Sequence, residues 1–114
     1  MTTTEATQAP TIAQLNDRFR QGDHTLGQVF TTQLVQALSS VDQQELFRLV
    51  RTFDDFTPEN DPYGEHDFGS VEFQDEKYFF KIDYYDKSLK YGSEAPRDPK
   101  VTTRVLTLMH SSEY

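Results

Sequence analysis

SVEFQDEKYFFKIDYYD, residues 70–86, carries two runs of alternating side chains separated by a short acidic break. Val71 and Phe73 alternate with polar neighbours in the first run, and Phe80, Ile82 and Tyr84 alternate with Phe79, Lys81 and Asp83 in the second. A period of two sends successive side chains to opposite faces of an extended backbone, so the segment is expected to form a β-hairpin that turns at Asp75-Glu76. An isolated hairpin is marginal in water and needs a further strand or a covering helix. The rest of the chain must supply them.

Working outward, SSVDQQELFRLVRTFDDF (39–56) changes the period to that of a helix. Leu46, Leu49, Val50 and Phe53 fall on one face, and Ser40 with Gln43 has capping-box spacing, which predicts a helix over about 41–53. TIAQLNDRFRQG (11–22) repeats the design with Thr11 and Gln14 as the box, Ile12, Leu15 and Phe19 as the apolar stripe, and Gly22 as the stop, giving a helix over about 12–21. HTLGQVFTT (24–32) has the β-branched and aromatic content of a strand, with Gly27 marking a bulge. VTTRVLTLMHSSEY (101–114) supports two readings. Asp98-Pro99 could begin a helix, but Thr102, Thr103, Val105 and Thr107 favour a strand paired with the second arm of the hairpin. The expected fold class is α+β, a small antiparallel sheet (hairpin 70–86 plus C-terminal strand) with two helices packed on it. Residues 1–10 read as a disordered tail and 11–114 as a single domain.

Composition narrows the function classes. A length of 114 residues allows one domain with a modest core. Nineteen acidic against eleven basic residues give a net charge of −8, which disfavours direct nucleic-acid binding and anionic membranes. Without cysteine there is no disulfide framework, thiolate zinc site or thiol nucleophile. The N-terminal MTTTEATQAP has no basic segment followed by an apolar run, and no stretch approaches the roughly 20 apolar residues of a membrane span. A cytoplasmic location is expected.

Chemistry, if the chain performs any, should lie in FTPENDPYGEHDFG (56–69). Asn60-Asp61-Pro62-Tyr63-Gly64 has turn chemistry throughout, which favours a rigid loop. Glu65-His66-Asp67 could instead form a site. Asp61, Glu65, His66 and Asp67, joined by Asp83 or Asp86 from the neighbouring strand, would suit a divalent cation, although the spacing matches neither a calcium loop nor H-E-x-x-H. His66 with Asp67 or Asp83 could act as an acid–base pair, with Tyr84 or Tyr85 as proton donor. The plainer roles are a histidine that locks the loop to the sheet and a tyrosine that belongs to the core. No nucleotide-binding or nucleophile-elbow signature occurs, and no cofactor is expected.

Charge position is more informative. Asp54, Asp55, Glu59, Asp61, Glu65 and Asp67 follow one another with no lysine or arginine among them. Such a run either solvates one face or meets a protein partner with a basic surface. The second reading makes these six carboxylates the contact surface of a noncatalytic binding module, with Tyr84, Tyr85 and Tyr91 as further anchors. A small metal-dependent or acid–base enzyme built on the His66 loop is the alternative.

Four segments carry a resemblance: NDPYGEHDFG (60–69), KIDYYD (81–86), TRVLTLM (103–109) followed by EY (113–114), and LNDRFR (15–20). Together they resemble the bacterial family called domain of unknown function 3768, largely proteobacterial and often carried on mobile elements. The resemblance covers about residues 11–114 and departs from the family pattern at His110 and in the 23–39 region. It implies a small cytoplasmic protein and brings no established activity, so no catalytic role is carried over. By analogy with other small acidic proteins of mobile elements, it implies an anti-CRISPR or anti-restriction inhibitor that presents carboxylates where its target expects DNA phosphates.

Overall fold

The computed structural model describes residues 9–114. In chain order the elements are α1 (Ile12–Arg20), β1 (Gly27–Thr31), α2 (Gln33–Gln36), α3 (Ser40–Arg51), β2 (Phe68–Phe73), β3 (Glu76–Tyr85) and β4 (Thr103–His110). Short 3-10 turns occupy His24–Leu26 and Ser111–Glu113. The expected tail over residues 1–10 falls, for residues 1–8, outside the described residues.

The fold is α+β, and its hairpin is β2–β3. Phe73 pairs with Glu76, so the turn is Gln74-Asp75 and not Asp75-Glu76. Both turn residues have positive φ, 53° and 64°, the backbone that lets a two-residue loop follow the twist of its strands. The C-terminal segment is a strand, as its β-branched residues predict. β4 runs antiparallel to β3 from Tyr78↔His110 to Tyr85↔Thr103.

The sheet nonetheless differs from a purely antiparallel one. β1 pairs with β4 in parallel, and the strand order is β1-β4-β3-β2. Local patterning identifies β1 as extended but carries no information about a partner so distant in sequence. Gly27 is not a bulge, since the register runs unbroken from Gly27↔Arg104 to Thr31↔Leu108. Its role is close approach: a Cβ there would lie 2.0 Å from the Arg104 carbonyl oxygen.

Both main helices lie on one face of this sheet. Thr11 and Gln14 form the expected capping box on α1. Its C-terminus closes by Asp23 N–H to Arg18 O and Gly22 N–H to Phe19 O, with Gly22 at φ 128°. On α3 the cap is Ser39, one residue before the expected Ser40, and its hydroxyl accepts from Asp42 N–H. Leu15 and Phe19 of α1 and Leu46 and Val50 of α3 pack against Val71, Phe80, Ile82, Leu106 and Leu108. Each such burial contributes about 1.5–3 kcal/mol. Gly69 admits the Phe80 ring, which would lie 2.3 Å from an added Cβ. The other face of the sheet carries Phe79, Lys81, Asp83 and Tyr85, and among the described residues neither main helix lies on it; Phe68 and Phe79 there lean on Tyr114.

Candidate functional site

The loop between α3 and β2 is organised by side chains that bond its own backbone. Asn60 accepts from Thr57 N–H at 2.9 Å and donates to Asp55 O at 2.9 Å. Asp61 has a nearly buried carboxylate, which receives Glu65 N–H at 3.1 Å and His66 N–H at 3.2 Å. Gly64, at φ 65°, donates its N–H to Asp61 O. The turn expected at 60–64 is thus present, and it sets His66 at φ 57°, a left-handed conformation that histidine tolerates better than bulkier residues.

The next layer fixes this loop to the helices. His66 Nδ1 lies 2.9 Å and 3.0 Å from the two Asp17 oxygens, and since a carboxylate only accepts, Nδ1 carries the proton of this bond. The imidazole stacks on Phe56 with the ring planes 1° apart and the centroids 4.0 Å apart. Asp17 also receives Arg20 Nη2 at 2.7 Å. Arg20, buried, turns its Nη1 to the carbonyls of Val50, Arg51 and Phe53 at the end of α3, where a cation complements the helix dipole. The locking role of His66 is therefore real, but its anchor is α1 and not the sheet.

A second chain of bonds begins one residue earlier on α1. Asn16, fully buried, donates to Glu65 O at 2.9 Å and to the Tyr84 hydroxyl at 2.8 Å, and accepts from Arg104 Nε at 2.7 Å. The Tyr84 hydroxyl in turn donates to Glu65 Oε1 at 2.8 Å. Arg104 lies 5.2 Å from the Tyr84 ring centroid and gives Nη2 to Pro96 O. Burial lowers the Arg104 guanidinium below its ordinary range and holds the Tyr84 hydroxyl well above the usual tyrosine range, where the Glu65 carboxylate adds to the effect against the opposing bond from Asn16. Tyr84 keeps its proton.

These contacts sort the residues that the sequence singles out. Asp61, Glu65 and Tyr84 are partly buried and engaged, so they are not the surface contacts expected of them. Asp67 is also partly buried. Burial, with Glu65, Asp61 and Asp83 nearby, raises its carboxyl above the ordinary range against the bond from its own N–H, and its carbonyl accepts from Ile82 N–H. Asp54, Asp55 and Glu59 are exposed, and no cation lies within ion-pair distance of them among the described residues. Tyr91 is exposed on a separate turn beyond β3, while Tyr85 lies half-buried on the uncovered sheet face. Asp83, also on that face, pairs with Lys81 at 3.2 Å. Of the candidate cation ligands Asp61, Glu65, His66, Asp67 and Asp83, His66 Nε2 comes within 3.8 Å of Asp61, but among the described residues no three histidine or carboxylate groups are placed to hold a metal ion.

Sequence reasoning missed Asn16, Asp17, Arg20 and Arg104, the residues that clamp the loop. Polar residues beside the apolar stripe of an amphipathic helix were the available signal: Asn16 neighbours Leu15, and Arg20 neighbours Phe19, both in the core. Beside the loop lies an open recess of about 430 Å³, walled by Phe56, Pro58, Asp61, Pro62, Tyr63 and His66.

The fold and the clamped loop together define a two-layer α+β protein that holds an acidic loop rigidly on buried polar side chains. The chain belongs to the family described as Protein of unknown function (DUF3768), which matches residues 31–113. The match contains the loop and Arg104 but begins after α1, which supplies Asn16, Asp17 and Arg20. No curated protein and no solved structure matches the chain. Among the described residues no helix is long and apolar enough to cross a membrane.

Proposed function

We propose that this chain is a noncatalytic binding protein that offers the 54–66 loop to a basic surface on a protein partner. One observation carries the reading. The groups capable of acid–base chemistry (Asp61, Glu65, His66 and Tyr84) are committed to holding the loop, whereas Asp54, Asp55 and Glu59 stand outside, exposed and uncompensated. Tyr63, 88% exposed, projects from the same loop beside the aromatic- and proline-walled recess, a setting suited to the stem and charge of a partner's arginine or lysine. A loop braced in advance loses little entropy on binding. The setting we infer is a bacterial cytoplasm, on a mobile element, with the protein inhibiting a nucleic-acid-binding or defence complex in the manner of a DNA mimic.

The test is affinity capture from a lysate of the native host, repeated with a variant carrying Asp54→Lys, Asp55→Lys and Glu59→Lys. The expected result is one basic partner, lost with the triple variant and weakened by salt, since screening shortens to about 8 Å at 0.15 M. Binding that survives both charge reversal and high salt overturns the acidic-loop reading. Tyr63→Ala separates the recess from the carboxylates, because it leaves the charge unchanged.

A further inference from the structure

A second cleft lies away from the loop, between α1, α3 and the sheet where β1 meets β4. Its volume is about 670 Å³, within the range of small-molecule sites. Phe19, Phe47 and Leu106 make its apolar walls, and Arg20, His24 and Arg51 supply charge or potential charge. Among the described residues no aspartate or glutamate lines it, in a chain whose net charge is −8. Arg51 and His24 are exposed, and among the described residues Arg51 has no carboxylate within ion-pair distance. Arg20 is almost wholly buried, and its Nε–H has no hydrogen-bond partner although its other nitrogens are engaged.

We propose that this cleft binds a small organic anion with an apolar body, a medium-chain or aryl carboxylate. The body would lie between Phe19 and Phe47, and the carboxylate would meet Arg51 and His24 at the rim. The charge of the lining supports that chemistry. Arg20 is already paired with Asp17, but Arg51 at the rim has no carboxylate within ion-pair distance among the described residues, so beside the apolar walls it favours an anion in a protein whose net charge is −8. A neutral or cationic ligand of the same shape gains only the apolar contact.

The probes are decanoate and decanol, titrated against the full chain and followed by backbone amide shifts. Decanoate should bind saturably, with shifts confined to the cleft, and about tenfold more tightly than decanol. Arg51→Gln should reduce this preference severalfold, and Arg51→Lys, which keeps the charge, should restore most of it. Gln44 is an exposed α3 residue at the cleft, so Gln44→Trp should fill the opening and abolish binding without unfolding the chain. Equal affinity for decanoate and decanol overturns the anion assignment. No saturation at millimolar decanoate, or binding unaffected by both Arg51→Gln and Gln44→Trp, overturns the site.

Discussion

Asn16 on α1 and Arg104 on β4 meet inside the protein, where the arginine Nε–H donates to the amide oxygen at 2.7 Å and both residues are fully buried. No carboxylate lies within ion-pair distance of Arg104 among the described residues, and its Nη1 has no hydrogen-bond partner. An amide, the Pro96 carbonyl and the Tyr84 ring therefore stand where a counter-ion would be expected. Asn16 holds this position together because one side chain serves Arg104, Tyr84 and the Glu65 backbone at once.

Removing that side chain should be expensive. Asn16→Ala leaves buried donors unmatched, each costing about 1–3 kcal/mol, so the urea midpoint should fall sharply with little change in slope. Replacing both members by apolar residues, Asn16→Leu with Arg104→Met, should recover part of the loss, because no charge is then left buried without partners. A double variant less stable than Asn16→Ala would show that Arg104 is held mainly by contacts other than Asn16.

Asp67 and Glu113 should respond to pH in opposite senses. The folded-state pKa of Asp67 is raised by burial, so its contribution is most favourable below the unfolded value of about 3.9 and is lost as pH rises through the folded one. Asp67→Asn should therefore raise the melting temperature at pH 7, with the gain vanishing towards pH 3. Burial also works to raise Glu113, but bonds from the Thr32 hydroxyl and the Leu34 and His110 N–H groups outweigh it and lower the pKa. Its contribution is present above the unfolded value of about 4.3 and lost as pH falls through the folded one. Glu113→Gln should cost stability at pH 7 and little at pH 3. Thermal melts between pH 3 and pH 8 read both, and a pH-independent shift for either variant would contradict the assignment.

The loop should loosen before the domain does. His66→Ala removes the bond to Asp17 and the stack on Phe56, together worth about 1–3 kcal/mol, and should speed amide exchange across residues 57–67 more than in β3. Asp17→Asn should act in the same direction while also releasing Arg20 from its ion pair. Uniform acceleration through the sheet would mean that the loop and the core open as one unit.

The hairpin turn invites a stabilising change. Gln74 and Asp75 both have positive φ, and neither is the asparagine or glycine that such turns favour. Gln74→Asn with Asp75→Gly should raise stability by about 0.5–1 kcal/mol, measured as a higher urea midpoint. A lower midpoint would show that contacts of the native side chains outweigh the backbone preference.

Periodicity carried most of the fold. The stripes Leu15/Phe19 and Leu46/Val50 and the alternation through Phe80, Ile82 and Tyr84 are local signals from which the helices and the hairpin follow, while β4 follows from its β-branched residues. What local pattern omits is partnership. Nothing near Val29 specifies Leu106 as its neighbour, so the parallel β1–β4 pairing was not legible. The loop shows the same divide: its turn chemistry is written in Asn60, Asp61 and Gly64, but its anchors on Asn16, Asp17 and Arg104 lie far away in the chain. Burial decided between the two roles open to Tyr84 in favour of the core, since a strand tyrosine reads alike whether its hydroxyl faces water or Glu65.

The β1–β4 pairing also gives the folding reaction an order. Closing a strand pair across α3, the acidic loop and the whole hairpin carries a larger chain-entropy penalty than forming the hairpin, so β2–β3 should assemble first, β4 should join it, and β1 should arrive last. Until then the outer edge of β4 is an open template that presents unpaired backbone groups. The segment that satisfies it can come from the same chain or from a neighbour at high concentration, so refolding of this protein carries a built-in hazard of exchanging β1 between copies. The Glu113 carboxylate, which grips Thr32 and Leu34 just beyond β1, holds the arriving strand beside the end of β4, whichever copy supplies it.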